Sequence, residues 1–354
     1  MKHLQLTPGS GVKPLKDSRS VPAALPEAQG TRIHPANAPD ASTNASLFFV
    51  GTATTILEWE GLRILTDPNF LHAGDHVHLG PGVSATRRTN PAIDIEELPH
   101  IDAILLSHYH EDHFDRLVED KLSRDIPIIT TPHAHSCLTN KGADSFTNVH
   151  ALNFWDSLIV DVHPKTGTIS TTPSLKITGM PGKHVPPGPL NAANEILGAV
   201  PPTNGWMIEL GYSSPPSSSA DDFASGYMVY ITGDTLLVDE LKEIPQRYEG
   251  MDIDLMLVHL GGTTIPGPSM PLLMVTMDAK QGVELMHLIN PDVTIPIHYD
   301  DYDLFMSPLD DFKKEVEKAG LGAKVVYLDR KDQYKFLVKQ EGEKKGIKDL
   351  PSVG

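Results

Sequence analysis

The stretch ILLSHYHEDHFD, Ile104–Asp115, sets three histidines and three acids directly behind an apolar run. Together with the preceding residues it begins as IDAILLS, which reads as a buried strand, and it leads into DRLVEDKL, which reads as the start of a helix. Polar side chains gathered at such a strand end form a surface cluster, a hydrogen-bonded histidine network or a metal site. In an extended segment His108 and His110 point the same way, because the side-chain period is two. Asp112 and His113, at the turn into the helix, aim at a second point nearby. Neutral imidazole and carboxylate are the ligands that zinc, iron and manganese accept. The complete His-x-His-x-Asp-His spacing, placed straight after a buried strand, favours the metal site over the other two readings.

Working outward, the segments Leu47–Val50, Thr55–Trp59 and Leu62–Leu65 read as three strands, with a turn at Glu60–Gly61. A long glycine- and histidine-rich loop follows, Asn69–Pro91, and its length inside a compact domain suggests function. IPIITT, SLKITGM, GWMIELGY, GYMVYITGD, MDIDLMLVHL, VTIPIH, KVVYLD and YKFLVK are further strands. The joint SSPPSSSADDFAS reads as a solvated hairpin insertion. DAKQGVELMHLIN has helical spacing with Asp278 as its N-cap, and PLDDFKKEVEKAG is a helix closed by Gly320. Many strands and few long helices, each helix following a strand, indicate an α/β sandwich rather than a doubly wound sheet. His108, Asp234, His259 and His298 all fall at or just past the end of an apolar strand. Strand ends share a sheet edge, so one site can be assembled there.

The chain has 354 residues, of which 40% are hydrophobic, enough for a real core. Residues 1–44, rich in Pro, Ala, Gly, Ser and Thr, are expected to form a flexible or loosely attached arm. Residues 45–340 form the domain, and the charged residues 341–354 a frayed tail. A net charge of −17 argues against a nucleic-acid partner, which needs a basic footprint. No apolar run approaches membrane-spanning length. The basic first residues lack the apolar core of a secretory signal. Cys137, the single cysteine, fits a reducing compartment. The expectation is a cytoplasmic protein acting on a small molecule, without nucleic-acid or membrane partners and with self-association left open.

The motif resembles that of the metallo-β-lactamase fold superfamily, and the resemblance runs from Leu47 to Val338. Asp67 in TDPNF is similar to the family's early aspartate, which supports the metal-binding loop. His184 in GKH, Asp234 in ITGDT and His298 in IPIHYDD follow in the family's order. The resemblance implies a four-layer αββα sandwich. It implies a first metal on His108, His110 and His184, and a second on Asp112, His113 and His298. Asp234 then spans both, with a water or hydroxide between them. LSHYHEDHFD, TDPNF and PIHYDDYDLF look most like the branch holding L-ascorbate-6-phosphate lactonase and N-acyl phosphatidylethanolamine phospholipase D. Thr276 stands near where the phospholipase carries a histidine, which weakens that assignment.

The function implied is a dinuclear hydrolase of a small ester, lactone or phosphodiester. It would use two divalent ions, zinc first and manganese or iron as alternatives, with Asp112, Asp234 and His259 in catalytic roles. Tyr299 is a candidate oxyanion donor, though a packed tyrosine is the plainer reading. Arg87 and Arg88 are candidates to meet an anionic group, though a solvated charge pair is plainer. A mononuclear iron dioxygenase of thiol-derived substrates, a phospholipase D-like enzyme and a non-catalytic metal-binding protein stay open.

Overall fold

Alternation along the strands sorts their side chains into separate cores. Leu47 and Phe49 enter one apolar cluster, while Phe48 and Val50, one residue along, enter another. The same split separates Ile104 from Leu105 and Ile128 from Ile129. In the other half of the chain it separates Met256 and Val258 from Leu255 and Leu257. A period of two with both faces apolar is what a sheet covered on both sides requires.

The computed structural model describes residues 2–9, 12–80, 82–163, 172–189, 191–192, 194, 198, 200–213, 223–267 and 270–340. Two large mixed sheets hold most of them. The first has seven strands in the order Lys2–Leu6, Ser157–Val162, Thr172–Met180, Gly205–Ser213, Phe223–Ile231, Leu255–His259 and Val293–Ile297. The second has eight, in the order Val149–Ala151, Ile128–Thr130, Ala103–Leu105, Leu62–Thr66, Thr54–Trp59, Ala45–Gly51, Gln333–Phe336 and Thr31–Ile33. The inner faces of both sheets share one cluster, in which Leu57, Ile64 and Leu105 meet Leu175, Ile208 and Leu257. The outer face of the first sheet packs on helices Ala279–Ile289 and Leu309–Lys318 through Val283, Leu285, Phe312 and Val316. The outer face of the second packs on helices Arg116–Lys121 and Pro132–Thr139 through Val118, Ala134 and Leu138. These three interfaces define four layers, the αββα sandwich.

Strand direction decides where a site can form. Phe223–Ile231, Leu255–His259 and Val293–Ile297 are parallel. Two antiparallel steps give Thr172–Met180 the same direction. In the second sheet Leu62–Thr66, Ala103–Leu105 and Ile128–Thr130 are parallel. Each set therefore delivers its C-terminal ends to one edge. The helix starts follow local chemistry: Asp115, Thr131 and Asp278 each accept a backbone N–H of the first turn.

Three expectations change. The described part of residues 1–44 is not a loose arm. Lys2–Leu6 adds a parallel edge strand beside Ser157–Val162, Thr31–Ile33 adds another beside Gln333–Phe336, and Leu6 and Leu15 are buried. Composition missed this because edge pairing uses backbone groups and needs few apolar side chains. KVVYLD is not a strand: only Val325 makes an isolated bridge, to Thr294. The long loop after Pro68 contains a short hairpin, His76–His78 with Ser84–Thr86, which packs Val77 and Ala85 against Tyr302, Leu304 and Phe305. The strands flanking the serine-rich joint pair as expected, Ser213 opposite Phe223, but residues 214–222 of the joint lie outside the described residues, as does the tail 341–354.

The edge-strand finding predicts that a chain beginning at Thr7 has a lower urea midpoint than the full chain. Loss of buried Leu6 alone is worth roughly 1.5–3 kcal/mol. An unchanged midpoint would show that Lys2–Leu6 adds nothing to the folded sheet.

Candidate metal centre

Each polar residue of the site hangs from a strand end. Asp67 follows Leu62–Thr66, and the histidine motif follows Ala103–Leu105. His184, Asp234 and His298 follow Thr172–Met180, Phe223–Ile231 and Val293–Ile297, and His259 ends its own strand. The turns are tight. Asp67 and His298 both have left-handed backbones, with φ of 35° and 60°, a conformation that side chains other than glycine resist. Each is fixed in place: Asp67 N–H donates to Leu105 O at 3.1 Å, and His298 N–H to Thr52 O at 2.8 Å. Gly233, before Asp234, has φ of 62°, and a Cβ there would lie 2.3 Å from Asn204 O. Only glycine fits that turn.

The side chains converge as two groups, His108–His110–His184 and Asp112–His113–Asp234–His298, with Asp67–His113–His259 behind them. Four imidazoles have their outer nitrogen engaged. His184 Nδ1 donates to Val275 O and His298 Nδ1 to Leu260 O, both at 2.9 Å. His108 Nδ1 lies 2.9 Å from Ser107 Oγ, and His113 Nδ1 lies 3.2 Å from Asp67 Oδ2. Their Nε2 atoms therefore turn inward and face one another. His184 Nε2 is 3.0 Å from His108 Nε2, and His113 Nε2 is 3.2 Å from both His298 Nε2 and Asp234 Oδ2. Two lone pairs meeting at such distances repel unless a proton or a metal cation lies between them.

The charges point the same way. Asp67, Asp112 and Asp234 are each 2% exposed. Burial pushes their carboxyls up, yet the surrounding imidazoles outweigh it and hold all three below the usual carboxylate range. Among the described residues no lysine or arginine is paired with any of them; their ion-pair partners are histidines. Burial carries His184 down to about 4 and His108 well below its ordinary value, so both are neutral, as ligands must be. Burial also disfavours charge on His113, but Asp234, Asp112 and Asp67 reverse that and raise it. His110 Nε2 makes no hydrogen bond, and Asp112 Oδ1 and Asp234 Oδ1 have only ion-pair contacts, to His110 Nδ1 at 3.1 Å and His298 Nδ1 at 3.5 Å. A buried set of imidazoles and carboxylates converging on one another in this way fits divalent transition metals.

Asp67 is placed as expected for a supporting acid: Oδ1 accepts from Ser107 N–H at 2.7 Å while Oδ2 faces His113. His259, expected to be catalytic, does not belong to either inward-facing group. Its Nε2 lies 3.8 Å from Asp67 Oδ2 and its Nδ1 3.2 Å from Thr232 Oγ1, a position for orienting Asp67. Tyr299 is buried with its hydroxyl donating to Leu328 O, away from the donor cluster. Arg87 and Arg88 are not a solvated pair. Arg88 is exposed, but Arg87 is buried, donating to Asn69 Oδ1 and to Thr89 O. Asn69 in turn donates to Glu111 O, so Arg87 braces the histidine loop. Thr276 donates to Asp234 Oδ2 at 3.3 Å. The sequence reading missed Ser107, Thr232 and the carbonyls of Val275 and Leu260. The first two lie within the motifs, whereas a carbonyl acceptor carries no residue-type signal.

A family model described as a beta-lactamase superfamily domain matches residues 62–299, and the chain belongs to that superfamily. It is 32% identical over 165 residues to the mitochondrial N-acyl-phosphatidylethanolamine-hydrolyzing phospholipase D of Saccharomyces cerevisiae, covering 46% of this chain and 32% of that protein. The match thus spans about a third of the yeast relative. A metal-dependent hydrolase of Cupriavidus metallidurans is 27% identical over 266 residues, 74% of this chain and 79% of the relative. Among solved structures, isothiocyanate hydrolase from Delia radicum gut bacteria superposes with a TM-score of 0.61 at 17% identity, over 81% of this chain and 98% of the other. A possible metal-dependent hydrolase from Veillonella parvula superposes with a TM-score of 0.61 at 16% identity, over 82% and 99%. These two likenesses establish the shared fold. Among the described residues, no helix is long and apolar enough to cross a membrane.

Two substitutions separate holding a metal from orienting its holders. Asp234→Ala should abolish tight binding of at least one zinc equivalent in a chelator-competition titration. Asp67→Asn should weaken affinity by about 10–100-fold, the usual cost of losing a partner that orients a ligand. Equal and full retention of affinity in both would contradict the centre described above.

Proposed function

We propose that this metal-dependent hydrolase of the β-lactamase superfamily holds two divalent ions, zinc the leading candidate, and hydrolyses a small ester, lactone or phosphodiester. The observation that carries this reading is the pair of adjacent buried donor groups, His108–His110–His184 and Asp112–His113–Asp234–His298. The Asp234 charge is felt at His108 and His184 as well as at His113 and His298. His108, His110 and His184 would hold one ion and Asp112, His113 and His298 the other, with Asp234 able to serve as a shared ligand. Ions so held lower the pKa of water towards neutrality and polarise a substrate oxygen.

The chain's own residues do the rest. Asp112, with Oδ2 3.6 Å from His298 Nε2 and Oδ1 3.1 Å from His110 Nδ1, stands between the two groups as the carboxylate able to take up the attacking water's proton. Val275 O, Leu260 O, Ser107 and Asp67 fix the imidazole tautomers so that Nε2 is the ligand atom. Thr232 fixes the His259 ring, whose Nε2 faces Asp67 Oδ2 at 3.8 Å. The phosphodiester reading is favoured by the yeast relative, whose name describes phospholipase D activity. The ester and lactone reading draws on the small-molecule branch that the motifs resemble. Thr276, near where the phospholipase branch of the resemblance carries a histidine, favours the ester and lactone side.

A panel of lactones, aryl esters, phosphodiesters and phospholipid vesicles, at fixed enzyme and metal concentration, tests the reading alongside elemental analysis. The expected result is close to two ions per chain, turnover of small esters or lactones above that of vesicles, and loss of turnover with chelator. Asp112→Asn should lower kcat by about 10²–10⁴-fold, the range for a lost proton acceptor. Oxygen-dependent turnover of persulfides with one iron per chain would replace this reading with the dioxygenase.

A further inference from the structure

A cavity of about 440 Å³ opens beside His184, with Phe154, Val185, Val200, Pro201 and Pro202 in its wall. Ligand sites are commonly of this size and mostly apolar. Three observations give it a chemical meaning. First, His184 belongs both to this wall and to the first histidine group, so the cavity adjoins that group through one shared side chain. Second, Phe154 is 39% exposed, one of only three large apolar side chains left exposed among the described residues, and it lies here. A lone exposed ring is ordinary on a flat surface, but here it lines a mostly apolar concavity of ligand size, where it can contact an apolar group. Third, among the described residues the cavity offers no spare cation. Lys183 in its wall is engaged by Glu240, burial holds His133 below its ordinary pKa, and Arg87 is buried elsewhere, against Asn69.

We propose that this cavity is the subsite for an uncharged, apolar acyl group, so that the preferred substrates are esters or lactones of medium aliphatic chain rather than phosphorylated or otherwise anionic ones. The proposal rests on the hydrolase reading and deepens it. Hydrolysis adds water across the acyl–oxygen bond and releases a carboxylic acid and an alcohol. The acid keeps the same acyl chain, so it probes the subsite without turnover.

The test has two arms on the zinc-loaded full chain. Calorimetry with acetate, butyrate and hexanoate reads binding, and 4-nitrophenyl esters of the same acids read kcat/KM. Affinity is expected to rise by roughly fourfold per methylene up to hexanoate, the increment for burying a CH₂, with kcat/KM following. Val200→Trp, which fills the cavity, should flatten the hexanoate-to-acetate ratio in both arms. Phe154→Ala, at an exposed rim position where folding is not at stake, should reduce that ratio. Reading ratios cancels any loss of folded protein. A flat series with acetate ester still cleaved overturns the subsite and leaves the hydrolase standing. A rising carboxylate series that Val200→Trp flattens, with no ester cleaved, supports the subsite and removes the ester hydrolase. A rising series unaffected by either variant places the acyl group elsewhere and overturns the proposal.

Discussion

The Asp67 carboxylate joins backbone to chemistry. One oxygen accepts the N–H of Ser107, where the histidine loop leaves its strand, and the other lies 3.2 Å from His113 Nδ1. Burial disfavours its charge, and the neighbouring imidazole restores it. A buried carboxylate persists only when its partners are in place. Its position therefore constrains the loop, the His113 ring and, through His259, the end of a strand in the other sheet. The left-handed backbone at Asp67 is held by Leu105 O and belongs to the same constraint.

The two sheets make that constraint possible. Parallel neighbours bring strand ends to one edge, and the inner core keeps the sheets face to face. Acids and imidazoles far apart in sequence then meet at 3–4 Å. Their outer hydrogen bonds run to carbonyls and hydroxyls of the scaffold, so the inward nitrogens are set by the fold rather than by a bound ion. Preorganisation of this kind lowers the ordering that metal binding must impose.

Arginine placement separates holding the site from meeting a substrate. Arg87 and Arg88 are adjacent, yet one is buried against Asn69 and the other exposed. Arg87 stacks over Tyr302 with its guanidinium carbon 5.3 Å from the ring centre, in the same region where the short hairpin packs. The long loop is thus a packed support for the histidine segment. The apolar cavity beside His184 has no residue of that loop in its wall.

Much of the site was legible in the residues themselves. The histidine motif, Asp67, His184, Asp234 and His298 each stand behind a recognisable strand, and strand periodicity is local. The four-layer sandwich came from family resemblance, and the separation of Leu47 from Phe48 into different cores bears it out. Tertiary structure alone decided the rest. Whether Lys2–Leu6 dangles or pairs depends on a free edge at Ser157–Val162, more than 150 residues away. Whether His259 reaches substrate or Asp67 depends on how the two sheets face. Which imidazole nitrogen points inward depends on carbonyls such as Val275 O and Leu260 O. Every residue has such a carbonyl, so residue type cannot mark it; only the folded chain brings the right one within hydrogen-bonding distance.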